Sequence, residues 1–174
     1  DMTMDDGYVD IVEGGYDVAI RASDLSDSSL VAKRLTSVRS VICASPTYFE
    51  ENALTIPTEV YELSAYNALL YRHTSESAEW FFGHQDQVTS VVVKGNYRVN
   101  NSEALLCATM AGLGIARLPD FIANAPIQSG QLLPLLPNYL MPEKNVYALF
   151  PERDPMPLKL RLFIDFLVDS LSDG

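Results

Sequence analysis

Apolar residues recur at helical spacing in two stretches of the chain. The first begins after Asn100, which stands three residues before Glu103 in a capping-box pattern, and it ends at Gly112, a residue suited to a helix terminus. The second follows Pro157 and has a wide apolar face, formed by Leu160, Phe163, Ile164, Leu167 and Val168. Both stretches are therefore predicted to be helices with one buried face.

Shorter helices are predicted from capping residues. Ser45 is a favourable cap and is followed by Pro46, whose missing N–H is harmless at the first helical position, so a short helix is predicted over residues 47–51. Thr58 is predicted to begin another short helix, and Asp120 to cap a further one.

Runs of strand-forming residues separate these helices, at positions 16–21, 30–35, 38–44, 67–71, 113–118, 131–136 and 145–150. Residues 80–82 and 88–93 predict a hairpin around a polar turn at 83–86. Strands and helices alternate along the chain, and this order predicts an α/β fold with mostly parallel sheets.

The composition is that of a folded protein: 174 residues, 48% hydrophobic and 20% charged, enough for one domain or two small lobes. Lys and Arg number 12 against 23 Asp and Glu, so the net charge is −11 and phosphate-rich partners are repelled. We expect this chain alone not to bind nucleic acid. No apolar run approaches the roughly 20 residues that span a bilayer, and the acidic start is unlike a signal peptide, so no membrane or targeting segment is expected.

No group of residues suited to catalysis or metal binding stands out. His73 and His84 have acidic neighbours but lack the second imidazole or thiolate that zinc normally needs, and no serine stands in a G-x-S-x-G motif. A Ser–His or Cys–His pair has nothing to recommend it. Cys43 and Cys107 lie far apart in apolar runs, which favours buried, unreactive thiols. We expect no catalytic residue, no metal and no cofactor.

Residues 112–117 are the nearest approach to a dinucleotide-binding fingerprint. Arg117 replaces the third glycine, and the predicted order is helix to strand, the reverse of the order that the fingerprint requires. A helix end followed by a tight entry into a buried strand is the favoured interpretation.

Two predicted helix starts, at Asn100 and at Ser45, have backbone N–H groups that suit a small anion. If both faced one cleft together with the loop at 23–28, dipoles and hydroxyl groups would hold an anionic molecule there. Simple capping, with no ligand, is the alternative at each start.

Six segments together resemble one known family. They are VDIVEGGYDVAIR at 9–21, SLVAKRL at 29–35, VICASPTY at 41–48, VNNSEAL at 99–105, AGLGIARLPD at 111–120 and LFIDFL at 162–167. Their content and order resemble the effector-binding domain of LysR-type transcriptional regulators. The similarity covers nearly the whole chain, and no segment alone would be specific.

The resemblance implies an α/β fold of two Rossmann-like lobes, joined by two crossover strands as in type 2 periplasmic binding proteins. One regulatory lobe would comprise residues 1–42 and 143–174, and the other residues 43–142. The breaks inferred from the residues alone, at Ser45 with Pro46 and at the proline-containing linker 137–145, fall near the same places.

The resemblance also implies an interlobe cleft that binds a small anionic or aromatic metabolite and thereby controls transcription. The implied effector-binding residues are Ala22, Ser23, Ala44, Ser45, Tyr71, Arg72, Asn100, Asn101, Ser102 and Phe150. Arg72 and the helix dipole would favour an anion. Arg21 has a structural alternative, which is pairing with Asp17 or Asp24.

Two departures from the family pattern affect the expected partners. The helix-turn-helix through which the family binds DNA would precede Asp1, so we expect DNA binding to belong to a larger parent protein, a cytoplasmic homodimer or homotetramer. The first strand and helix of the first lobe are also missing, and we expect that lobe to be completed by other residues or rearranged. An exported solute-binding protein of the same fold is the alternative, and an enzyme on this scaffold is a more distant one.

Overall fold

The computed structural model describes residues 1–4, 10–22, 30–71, 79–84, 87–153 and 155–172. The chain forms two compact units. The first unit comprises Asp1–Val38 and Glu143–Gly174, and the second comprises Arg39–Pro142. The sequence-based division lies four residues later, after residue 42, because residues 39–42 join a sheet of the second unit.

The strands, in chain order, are β1 Ala19–Ala22, β2 Leu30–Val38, β3 Ser40–Ala44, β4 Asn67–Tyr71, β5 Glu79–His84, β6 Gln87–Val92, β7 Lys94–Val99, β8 Ile115–Pro119, β9 Leu133–Leu135 and β10 Lys144–Pro151. The helices are α1 Pro46–Glu51, α2 Ser102–Met110, α3 Asp120–Gln128 and α4 Leu158–Ser172, with a short 3-10 helix at Val60–Ala65.

Several local predictions are confirmed. Ser45 is the N-cap of α1 with Pro46 in its first turn, β5 and β6 pair as a hairpin, and Gly112 follows α2 with a φ of 74°. The helix predicted to begin at Thr58 begins at Val60 instead. The sequence pattern did not predict strand β7.

The first unit is a three-stranded sheet, in the order β1-β10-β2, covered by α4. Leu160 and Ile164 of α4 are buried against Ala148 and Phe150 of the central strand. Phe163 was predicted to share this buried face, but it is 44% exposed. The helix therefore buries a narrower stripe than its sequence indicates.

The second unit contains a five-stranded sheet in the order β7-β4-β8-β3-β9. β4 is parallel to β7 and to β8, whereas β3 is antiparallel to β8 and to β9. The prediction of mostly parallel sheets is wrong for the described strands, since the first unit's sheet and the β5–β6 hairpin are also antiparallel. Strands that run parallel need a long crossover connection, and α2 supplies one between β7 and β8, which lie on either side of β4.

Each face of this five-stranded sheet has its own core. One core includes α1, the 3-10 helix and the β5–β6 hairpin, through side chains such as Phe49, Leu63 and Phe82. The other includes α2 and α3, with Leu105 and Ala123 buried on that side. We call these two sides the hairpin face and the helix face.

β7 approaches β4 very closely where the pairing register shifts, between Asn67 and Leu69. A Cβ atom on Gly95 would lie only 1.6 Å from the backbone oxygen of Ala68, so glycine is required there.

We predict that Gly95→Ala lowers the free energy of unfolding by about 3 kcal/mol, because the added methyl group would push β7 away from β4. Gly83→Ala is the matched control in another strand, since its Cβ would meet Leu140 at an ordinary 3.7 Å. Urea denaturation measures both variants. Equal unfolding midpoints for the two variants would contradict the close approach.

The two thiols differ in environment. Cys43 is fully buried, and this burial raises the pKa of its thiol to about 12. Cys107 is exposed, so the expectation of a buried thiol is wrong for that residue. It lies on α2, whose apolar and polar residues are not clearly separated onto two faces, so the sequence does not indicate which of its residues face the core.

We predict that a disulfide reagent at pH 8 modifies one thiol per native chain rapidly and two per unfolded chain, because the thiolate is the reactive form. Cys107→Ser is expected to remove the rapid phase, and Cys43→Ser to leave it unchanged. Two rapidly reacting thiols in the native protein would refute the assignment.

Candidate binding site

Three strands of the second unit end side by side. β4 ends at Tyr71, β7 ends at Val99 directly beside it, and β8 ends at Pro119. β3 runs the opposite way and begins at Ser40, which pairs with Pro119. We call this side of the sheet the carboxyl edge. Ligands of open α/β sheets commonly bind beyond such an edge.

α2 begins at the carboxyl edge, immediately after β7. Its N-cap is Asn101, whose side-chain oxygen accepts a hydrogen bond from the Ala104 N–H at 2.8 Å. The predicted capping box with Asn100 as the cap is wrong, because the helix begins one residue later than the pattern indicates. Glu103 therefore lies in the first turn but cannot close that box.

A box of this kind forms elsewhere, at the start of the 3-10 helix. Glu59 is the cap there, and Glu62 is its partner. The Glu62 carboxylate accepts hydrogen bonds from the backbone N–H groups of Thr58 and Glu59, and these bonds lower the pKa of Glu62. The backbone N–H groups at this helix start are thus already hydrogen-bonded to a carboxylate of the chain itself.

Four of the predicted site residues lie together at the carboxyl edge. Tyr71 is partly buried and packs against the helix-face core, Asn100 and Asn101 are exposed, and Ser102 is the first residue of α2. Arg72 lies outside the described residues.

Glu103 changes the electrostatics of this edge. A carboxylate in the first turn of a helix interacts favourably with the helix dipole. The same negative charge opposes a second anion at the same place, so the start of α2 alone is a weak anion site.

Ala44 and Ser45 lie at the opposite edge of the same sheet. Ala44 ends β3 four residues beyond Ser40, a distance of about 13 Å along a strand. Ser45 is 3% exposed, and its hydroxyl oxygen lies 2.6 Å from that of Thr47. The structure therefore does not bring the two predicted helix starts to one place.

Two of the predicted site residues that the structure describes belong to the first unit. Ala22 is exposed at the end of β1, opposite Val146. Phe150 is 4% exposed and forms part of the core under α4. Ser23 lies outside the described residues.

Arg117 was considered in the sequence only as a departure from a nucleotide-binding motif. It lies in β8 between the buried residues Ala116 and Leu118, and it is itself partly buried. This burial lowers the pKa of the Arg117 guanidinium. A single charged residue inside an otherwise apolar strand is the sequence signal that could have identified Arg117 as a candidate functional residue.

No group of three or more His, Cys, Asp or Glu side chains is arranged to hold a metal ion within the described ranges. His73 lies outside those ranges. None of the helices that the structure describes is both long enough and apolar enough to cross a membrane.

Residues 1–172 match the family model of the LysR substrate binding domain. The HTH-type transcriptional activator AaeR of Escherichia coli (strain K12) is 32% identical over 160 residues, which are 92% of this chain and 51% of that protein. An HTH-type transcriptional regulator of Haemophilus influenzae is 31% identical over 160 residues, with coverages of 92% and 55%. The chain thus spans about half the length of these curated relatives.

Solved structures agree with this match. The regulatory domain of CrgA, a LysR-type transcriptional regulator from Neisseria meningitidis, superposes with a TM-score of 0.82 at 29% identity, covering 95% of this chain and 80% of that one. The chain therefore has the mixed α/β fold of LysR regulatory domains, and its family consists of transcription regulators and not enzymes. Since the match extends over nearly its whole length, this chain belongs to the LysR substrate-binding domain family, the effector-binding regulatory domains of LysR-type transcriptional regulators.

Proposed function

We propose that this chain senses a small anionic or aromatic metabolite and passes that signal to the DNA-binding part of a larger, cytoplasmic, oligomeric regulator. The carboxyl edge is the observation that carries the proposal, because three strand ends and the start of α2 meet there. The relatives support the wider role, since they are HTH-type regulators about twice as long as this chain.

The proposed site contains Tyr71, Arg72 and the start of α2 from Asn100 to Ser102. Ala44 and Ser45 are left out of this site because both are buried at the opposite edge of the sheet. The contribution of Ala22, Ser23 and Phe150, the division into two regulatory lobes and the cleft between them stay predictions from the resemblance.

An anionic effector needs local positive charge in this protein. The net charge is −11, so the overall field repels anions. Glu103 weakens the attraction of the α2 start. Selectivity for an anion would therefore depend on arginine side chains, which bind carboxylates through two parallel hydrogen bonds.

Effector control is a coupling between two binding events. If the effector changes the affinity of the regulator for DNA by some factor, DNA changes the affinity for the effector by the same factor. Typical coupling of this kind changes affinity about 5- to 150-fold, which is readily measured.

The proposal is tested with the full-length regulator encoded by the gene and DNA from its own promoter. Thermal-shift screening against small carboxylates and aromatic metabolites provides candidate effectors, and fluorescence anisotropy measures DNA affinity with and without each. We expect at least one saturable ligand that changes DNA affinity. A protein that binds no DNA, or whose DNA affinity no bound ligand changes, would refute the proposed function.

We predict that Asn101→Asp weakens an anionic effector by about tenfold, because the new carboxylate places like charge at the helix start. Asp also caps helices well, so stability should be nearly unchanged. Asn101→Ala should lower the free energy of unfolding by about 1 kcal/mol through loss of the cap. Calorimetry and urea denaturation measure the two effects.

Asn100→Ala is the matched control for the effect of the cap on stability, since Asn100 is exposed and is not the cap. An Asn101→Asp variant with wild-type affinity would remove Asn101 from the site. Equal stability losses in the two alanine variants would show that the cap contributes nothing.

A further inference from the structure

One row of residues crosses the five-stranded sheet just before the carboxyl edge. Leu70 of β4 pairs with Arg98 of β7, and Ile42 of β3 pairs with Arg117 of β8. β4 and β8 pair in register from Ala68 with Ile115, and continuing that register places Leu70 beside Arg117. Arg98, Leu70 and Arg117 thus occupy adjacent positions on three neighbouring strands.

These side chains project from the same face of the sheet, because residues paired across neighbouring strands point to the same side. Leu70 and Ile42 belong to the hairpin-face core, which identifies that face. Arg98 and Arg117 are two strands apart, and neighbouring strands are spaced by 4.7–4.9 Å, so their backbones are about 10 Å apart. Two arginine side chains can converge on one small ligand over that separation.

Neither arginine has a partner within the described part of the chain. The ion pairs found there join Asp17 to Arg153 and Lys159, and Arg161 to Asp165. Arg98 and Arg117 take part in no hydrogen bond or ion pair with any described residue.

The position of Arg117 makes this lack of a partner costly. A guanidinium that loses water without gaining a carboxylate is destabilised, and such charges are normally paired when they are buried. Every fully buried side-chain nitrogen or oxygen in the described part has a hydrogen-bond partner, so the unpartnered nitrogen atoms of Arg117 are open to solvent. The guanidinium is therefore partly sheltered but still in contact with solvent.

We propose that Arg98 and Arg117 form a carboxylate-binding site on the hairpin face, one residue before the carboxyl edge, in which Arg117 supplies the principal contact with a small organic acid. The proposal rests on the proposed function, since this acid would be the effector or part of it. Arg117 would bind the carboxylate through two N–H groups, and the exposed Arg98 would add a second positive charge.

A structural role and a ligand-binding role for Arg117 predict different effects of its replacement on stability. If its charge were needed for folding, Arg117→Met would destabilise the chain. If the charge is kept for a ligand, methionine removes a desolvated charge, keeps most of the aliphatic volume, and leaves stability unchanged or higher.

The test uses this chain with benzoate and succinate as probes and benzamide as a neutral analogue. Calorimetry measures binding, and urea denaturation measures stability without ligand. We expect at least one of the two acids to bind the wild-type chain and benzamide to bind at least tenfold more weakly. Arg117→Met should weaken the acid by at least about tenfold, the usual effect of losing a charge-assisted hydrogen bond, with no loss of stability.

Lys94→Met is the matched control. Lys94 is an exposed cation on the same strand as Arg98, but it pairs with Asn67 at the opposite edge of the sheet. Its removal should leave acid binding unchanged. Arg98→Met should weaken binding less than Arg117→Met does, because its charge is exposed to solvent.

Four results would overturn the carboxylate site. These are equal acid affinity of wild type and Arg117→Met, equal binding of benzoate and benzamide, no binding of either acid at 20 mM, and a marked loss of stability in Arg117→Met. An effector that alters DNA affinity equally in wild type and Arg117→Met would remove this site and leave the proposed function standing. A regulator whose DNA affinity no ligand alters, but whose acid binding depends on Arg117, would refute the proposed function and leave the carboxylate site standing.

Discussion

The side chain and backbone of Asn67 hold three strands of the second unit together at the edge opposite the proposed site. Its side-chain amide donates to the Asn96 side chain in β7 at 2.9 Å and to the Leu113 carbonyl just before β8 at 2.7 Å. Its side-chain oxygen accepts from the Asn96 N–H, and its own backbone N–H donates to the Tyr48 hydroxyl. One residue thus satisfies backbone groups where the β4–β7 register shifts and ties α1 to the sheet.

This clamp determines what lies at the far edge. A one-residue slip between neighbouring strands would send every side chain to the opposite face. With the register fixed beside Asn67, Tyr71 and Val99 end level with each other, and α2 starts beside them. The same register puts Arg98 and Arg117 on one face, so the chemistry of the carboxyl edge depends on contacts about four residues away along each strand.

Features set by neighbouring residues were predictable from the sequence, whereas features set by strand pairing were not. Ser45 with Pro46, and Gly112, indicated helix ends because capping is a local property. Nothing local shows that β3 runs antiparallel to β8, and this direction places Ser45 and Asn101 at opposite ends of the strands. The family resemblance identified the fold, but residue-by-residue transfer could not show which of its site residues are buried.

The two units differ in how their charged side chains are paired, and this difference bears on function. In the first unit, Asp17 lies 2.6 Å from Lys159 and close to Arg153, and these cations lower the pKa of its carboxyl group. In the second unit, Arg117 is more sheltered than these exposed groups and yet has no such carboxylate among the described residues. With 23 acidic residues in the chain, a partner for one arginine would be easy to supply within the sequence. A strand that keeps a desolvated cation unpaired breaks a local rule of stability, and such exceptions are characteristic of positions where the missing charge comes from a ligand.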